Sequence, residues 1–279
     1  MATRVFKELI GERWEEGKFV CVGLDTDLTN PKFPAVARRE TDEETMVYFG
    51  SSIIDATCDR VCAYKPNWAF YAGLGLPGFS ALIRTVAYAN QRAPGVPVIG
   101  DMKVADIGDT NNGYVRAAFE VFGFDAITLH PYLGGEALQP FLTRPDKSFF
   151  VLCRTSNPGA GEFQDLDLLG RPEQLYHRVA RQVVAGNKLE NCGIVVGATY
   201  PRELEEVRYI VGDMPILIPG IGDQGGEVEP AVKYGMSPRK KDAIYNSARG
   251  IIFTSSGPDF AEAARRETLK LHEMINQYR

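Results

Sequence analysis

The residues that could do chemistry cluster in one short stretch, Asp101-Met-Lys103-Val-Ala-Asp106-Ile107-Gly-Asp-Thr110, which closes an apolar run, Val96-Pro-Val-Ile-Gly100. On a strand, side chains two apart project from the same face, so Asp101 and Lys103 should point together. Asp106 follows where strand should give way to loop, close enough to extend the array. Alternating acids and lysines at the end of an apolar strand are costly to desolvate unless each charge is paired. Chemistry explains such an array better than packing does. Lys103 lies between carboxylates, with Lys65 one strand away, so it should be an ammonium placed to donate a proton. A Schiff-base lysine would need apolar surroundings and a lowered pKa. The alternative of a purely structural ion-pair network leaves two lysines and three acids at adjoining strand ends without a purpose.

A second feature lies late in the chain. Gly220-Ile-Gly-Asp-Gln224-Gly-Gly226 is rich in glycine, and Asn246-Ser-Ala-Arg249-Gly250 follows. Glycines let backbone N–H groups approach an anion, and an arginine adds a bidentate partner for phosphate. Other conspicuous residues read as structural. His130 suits a structural or subunit-contact role, and His177 and His272 fall on helical segments. Trp14 and the stretch Trp68-Ala-Phe-Tyr71 suit core or interface. The five cysteines, Cys21, Cys58, Cys62, Cys153 and Cys192, form no CxxC pair and read as reduced thiols, with no zinc site implied.

These residues need a scaffold, and the pattern supplies one. Eight short apolar runs serve as strand candidates: 19–24, 61–65, 97–101, 125–130, 148–153, 193–197, 214–218 and 250–254. Most are apolar on both faces, as strands of a helix-covered parallel sheet should be. Between them lie segments with apolar residues at i, i+3, i+4 spacing, for example 43–58, 78–90, 174–185, 201–211 and 258–277. About eight β-then-α units in 279 residues predict an α/β fold, a (β/α)8 TIM barrel filling residues 1–279 as one domain. A doubly wound sheet is the alternative, but no GxGxxG follows the first strand. Barrel sites gather at the C-terminal strand ends. Read in order, those ends carry Asp25, Lys65-Pro-Asn67, Asp101 with Lys103, His130, Thr155-Ser156-Asn157, Thr199, the Pro219 segment, and Ser255-Ser256.

Composition narrows the function. The chain is 44% hydrophobic and 24% charged, with 31 basic against 36 acidic side chains and a net charge of −5. No basic block suggests a nucleic-acid face, so an anionic ligand must be captured locally. The N-terminal segment reads as the start of an amphipathic helix without a secretory signal's core, and no apolar run could span a bilayer. A cytoplasmic protein is expected.

The motifs together, Asp101-x-Lys103-x-x-Asp106-Ile107-x-x-Thr110 with Lys65-Pro-Asn67, Thr155-Ser-Asn-Pro-Gly159 and Pro219-Gly-Ile-Gly, resemble the orotidine 5′-phosphate decarboxylase family, nearest its longer bacterial-type branch. The resemblance runs from Asp25 to Arg249. It implies a (β/α)8 homodimer with shared active sites that converts orotidine monophosphate to uridine monophosphate in pyrimidine biosynthesis without metal or organic cofactor. It implies that Asp25 and Lys65 hold the ribose, that Asp101 faces the substrate carboxylate, and that Lys103 protonates C6. Asp106, Ile107 and Thr110 would reach the neighbouring subunit's site. Ser156 would bind the pyrimidine, with Pro219 beside it, and Gln224 and Arg249 would close over the phosphate. The segment 225–242, with a short helix expected in its middle, departs from shorter family members. The loop 157–170 reads equally as a closing lid or as an ordinary exposed loop. Two other readings stand beside this one. The first is a magnesium-dependent sugar-phosphate lyase or decarboxylase sharing the Asp-x-Lys-x-x-Asp element, although Lys65 occupies the region where such enzymes carry a metal-binding acid. The second is a barrel that binds a nucleotide without turnover.

Overall fold

A computed structural model describes residues 4–222 and 225–279. Eight parallel strands occur in it: β1 (Val20–Leu24), β2 (Val61–Pro66), β3 (Ile99–Val104), β4 (Ala126–Leu129), β5 (Ser148–Arg154), β6 (Cys192–Val196), β7 (Ile216–Pro219) and β8 (Ala243–Ser247). Their order around the sheet is β2-β1-β8-β7-β6-β5-β4-β3. The seam between β2 and β3 is stitched by two parallel bridges, Tyr64 to Val98 and Asn67 to Asp101. The sheet thus curls into a (β/α)8 barrel. Nearly every strand residue is buried, because side chains face either the barrel interior or the surrounding helices.

The helices follow the apolar spacing read from the sequence. Asp42–Thr57 starts with a capping box, in which the Thr41 hydroxyl accepts the Glu44 N–H and the Glu44 carboxylate accepts the Thr41 N–H. Leu76–Arg92, Leu175–Gly186, Pro201–Val211 and Phe260–Tyr278 also form on the expected segments. Val228–Gly235 is the short helix expected within 225–242. Thr110–Arg116 runs on into a π turn at Ala117–Val121. The N-terminal helix, Phe6–Glu15, closes the barrel end opposite the site. Its Phe6 ring meets Phe150 edge-on at 5.7 Å, Ile10 is fully buried, and Trp14 Nε1 donates to the Ala243 carbonyl at 3.0 Å. Among the described residues, no helix is long and apolar enough to cross a membrane.

One strand lies elsewhere than the sequence suggests. The run 250–254 is not a strand: Arg249–Ile252 is a short helix whose Ile251 and Ile252 pack into the core, and the eighth strand is Ala243–Ser247. A short apolar run fits a buried helical turn as well as it fits a strand, and the true strand was disguised by Asn246 and Ser247. Ser255 and Ser256 therefore leave the rim. Ser255 instead donates to Asp259 Oδ1 at 2.6 Å, ahead of the C-terminal helix.

Candidate active site

A cavity of about 540 Å³ opens at the C-terminal strand ends. Of the eleven residues given a role from the sequence, seven line it: Asp25, Lys65, Asp101, Lys103, Ser156, Pro219 and Arg249. The strand shift moves Arg249 from the entry of β8 to its exit, which is why it belongs to this rim. Asp106, Ile107 and Thr110 lie outside the cavity lining. The Asp106 carboxylate accepts the Ile107 N–H at 2.6 Å, while Asn111 accepts the Asp106 N–H at 2.8 Å; Ile107 and Thr110 are exposed. Gln224 lies outside the described residues.

Asp101 is the centre of the array. Lys65 Nζ donates to its Oδ2 at 2.6 Å, and Lys103 Nζ to its Oδ1 at 2.5 Å. The Thr128 hydroxyl adds a third bond, to Oδ1 at 3.0 Å. Burial alone would raise the Asp101 pKa, but the Lys65 and Lys103 ammoniums overcome it and hold the carboxyl well below its usual range. Burial likewise opposes the Lys65 charge, and Asp101 with Asp25 reverses that, so the ammonium is held above its ordinary range. Lys103 differs in being half-exposed at the cavity mouth. Its backbone is left-handed, with φ +50°. That conformation costs a non-glycine residue roughly 1–3 kcal/mol and persists only where the surroundings enforce it.

Asp25 is the opposite case. Burial pushes its carboxyl above the usual range despite Lys65, and its Oδ1 is buried without a hydrogen-bond partner among the described residues. A carboxyl oxygen left unpaired at a cavity wall is ready for a donor brought by a ligand.

Ser156 sits on the backbone of β6's exit. A Cβ on Gly197 would fall 2.7 Å from Ser156 Cα, so only glycine permits this approach. The preceding residue is fixed from several sides. Gln164 Oε1 accepts the Thr155 N–H at 2.8 Å, and Arg154 donates to the Thr155 carbonyl at 2.8 Å. Arg154 also forks onto both oxygens of Asp165, at 2.7 and 2.9 Å, and lies 3.7 Å over the Tyr200 ring. The loop 157–170 accordingly carries structure of its own, a 3₁₀ turn at Pro158–Ala160 and a helical turn at Gly161–Gln164. On the far side, Gly23 lets Ala248 close in, since a Cβ there would lie 2.5 Å from the Ala248 methyl. Gly220 and Gly222 adopt φ of +98° and +81°, the left-handed region that glycine enters at little cost. The wall beside Arg249 is therefore built largely of backbone.

Thr128 and Gln164 line the cavity although neither stood out in the sequence, and Asn246 and Ser247 line it from the run that leads to Arg249. Thr128 carried one faint signal, as the only hydroxyl in the apolar run Ala126-Ile-Thr-Leu129. His130, read as structural, hydrogen-bonds the Ala105 carbonyl through Nε2 at 3.2 Å and accepts the Tyr132 N–H at Nδ1. His177 accepts the Gln174 N–H and bonds Glu206 at 2.9 Å. All five cysteines are free thiols.

Fold and cavity define a parallel (β/α)8 barrel with a lysine–aspartate–lysine array at its C-terminal rim, facing a glycine- and arginine-bearing wall suited to an anion. Comparison with known proteins narrows this class. The family model described as "Orotidine 5'-phosphate decarboxylase / HUMPS family" matches residues 18–266. The orotidine 5′-phosphate decarboxylase of Janthinobacterium sp. (strain Marseille) is 43% identical over 276 residues, covering 98% of each chain. The structure of Leishmania donovani OMP decarboxylase superposes with a TM-score of 0.83 at 32% identity, covering 98% of this chain and 99% of that one. That of Leishmania donovani UMP synthase gives 0.87 at 34% identity; this chain is covered to 99% and spans 57% of the synthase chain. The chain belongs to the orotidine 5′-phosphate decarboxylase family.

Proposed function

We infer that this protein decarboxylates orotidine 5′-monophosphate to uridine 5′-monophosphate, a step of pyrimidine biosynthesis, and that the Asp101-centred array performs the chemistry. Family membership supports the reaction. The observation that carries the residue assignment is that both Asp101 oxygens are held by lysines, one buried and one at the cavity mouth. The C6 carboxylate of the substrate faces Asp101. The C6–carboxyl bond breaks, carbon dioxide leaves, and the electron pair remains on C6 in the ring plane, where the π system cannot spread it. The Lys103 ammonium stabilises that charge as it develops and transfers a proton to C6, giving uridine monophosphate; the lysine amine is then reprotonated from water. Nothing is oxidised or reduced.

The remaining roles follow the chemistry of the rim. Asp25, with its unpaired Oδ1, and Lys65 take the ribose hydroxyls. Ser156 hydrogen-bonds the pyrimidine, with Pro219 beside it. Arg249, with Gln224 and the glycine-rich segment, binds the phosphate, whose remote binding energy helps order the reacting end. Asp106, Ile107 and Thr110 act on the site of a second copy in a homodimer. Their position outside this chain's own cavity and the exposure of Ile107, 63%, support that reading. The magnesium-dependent alternative fits poorly with Lys65 in the cavity, since an ammonium repels a divalent cation.

The test follows substrate loss by ultraviolet absorbance. Turnover that survives a metal chelator is expected. In the same assay, inactive Asp101→Ala and Asp106→Ala proteins, mixed and allowed to exchange subunits, should recover about a quarter of wild-type activity, because half the dimers carry one intact site in two. Turnover lost to chelation would favour the magnesium reading. No recovery after demonstrated exchange would remove Asp106 from the partner's site.

A further inference from the structure

The β3–β4 ladder pairs Ile99 with Ala126 and Gly100 with Ile127, then resumes at Val104 with Leu129. Between those pairs β3 has three residues, Asp101, Met102 and Lys103, while β4 has one, Thr128. The ladder is therefore interrupted opposite the array, and Lys103 turns left-handed within the gap. Thr128 fills it with its side chain. Its hydroxyl oxygen accepts the Lys103 N–H at 2.9 Å, and its hydroxyl hydrogen goes to Asp101 Oδ1 at 3.0 Å. The same Asp101 oxygen receives Lys103 Nζ at 2.5 Å. A closed ring results, running from the Lys103 backbone through Thr128 and Asp101 back to the Lys103 ammonium.

The polarity of this ring is fixed. A backbone N–H only donates, so the Thr128 hydroxyl must receive there and direct its own hydrogen to an acceptor. Asp101, kept ionised by its two lysines, is an acceptor only. Thr128 is buried, 2% exposed, so no solvent competes for either bond. One hydroxyl thus holds both ends of Lys103, the backbone directly and the ammonium through Asp101.

We propose that Thr128 is a positioning residue for the reacting lysine: its hydroxyl replaces the missing ladder bond, enforces the left-handed turn at Lys103, and aims Nζ across Asp101 into the cavity. The inference rests on the reading of Lys103 as proton donor. It assigns to a residue that need not touch substrate the task of maintaining reactive geometry, where displacement of about 1 Å costs on the order of 100-fold in rate.

The experiment compares Thr128→Val, which keeps the shape and removes the hydroxyl, with Thr128→Ser, which restores it; Thr128→Ala gives a second hydroxyl-free variant should valine not fold. The hydroxyl-free variant should lose roughly 10–100-fold in kcat, with KM for orotidine monophosphate and affinity for uridine monophosphate within about threefold. Thr128→Ser should recover most of the loss. Combined with Lys103→Ala, loss of the hydroxyl should cost nothing more, because its whole effect passes through that lysine. Unchanged kcat, a matching loss of product affinity, no rescue by serine, or a further loss on top of Lys103→Ala would each overturn the proposal. Near-normal turnover of Lys103→Ala itself would instead remove the underlying reading of the lysine, and the inference with it.

Discussion

Asp25 and Asp101 sit in one cavity with carboxyls shifted in opposite directions, and the difference is pairing. Asp101 is depressed in the fold. Its contribution to stability is therefore complete above the unfolded-state value, about 3.9, and is lost only as pH falls through the lower folded value. Lys65 is raised, so its contribution is present below about 10.4 and lost above its folded value. The pair stays charged across the neutral range. Asp25 is raised, which reverses the sign: its ionised form destabilises the fold, with no penalty at low pH and a growing one as pH rises through its folded value. Asp25→Asn should therefore raise the melting temperature of the ligand-free protein at pH 7, an advantage that disappears near pH 3. It should also lower kcat/KM by roughly 10–100-fold through loss of a charged hydrogen-bond acceptor. Thermal melts at the two pH values, with steady-state kinetics, check both halves. A lower melting temperature at pH 7 would contradict the sign.

At the scale of elements, the β5 exit shows how a loop is made into a wall. The Arg154 guanidinium, nearly solvent-free, ties the strand end to Asp165 and Tyr200, while Gln164 holds Thr155 beside Ser156. Arg154→Met keeps much of the side-chain volume and removes the fork. It should raise KM by about tenfold, the worth of one charge-assisted hydrogen bond, with a smaller change in kcat, and should open the 157–173 segment to limited proteolysis. An unchanged KM would show that Ser156 is placed without this anchor. None of this anchoring was visible beforehand, because Arg154 and Asp165 are eleven residues apart in an irregular loop with no period to read. The strands were legible where apolar residues ran uninterrupted, as in Phe149–Val151. β8 was missed because two of its five residues are polar and face the cavity, so the chemistry of the site erased the pattern of the strand.

Across the whole molecule, the barrel was legible because eight buried strands must each be nearly continuous in apolar residues, and helices of 3.6 periodicity must cover them. Most of the site was legible for a related reason: charges at the ends of apolar strands are conspicuous. Thr128 escaped because a single hydroxyl within an apolar strand is ordinary in sequence. Its significance arises only from the interrupted pairing with β3. The left-handed turn at Lys103 was hidden too, since strand alternation alone already places that side chain beside Asp101. The central claim is that Lys103 supplies both charge and proton to C6, and Lys103→Ala tests it most directly, with turnover measured against uridine monophosphate affinity in the same preparation. The account predicts a loss in kcat of at least about 10⁴-fold with product still bound, combining proton transfer and charge stabilisation. Turnover within tenfold of the unaltered protein would contradict it.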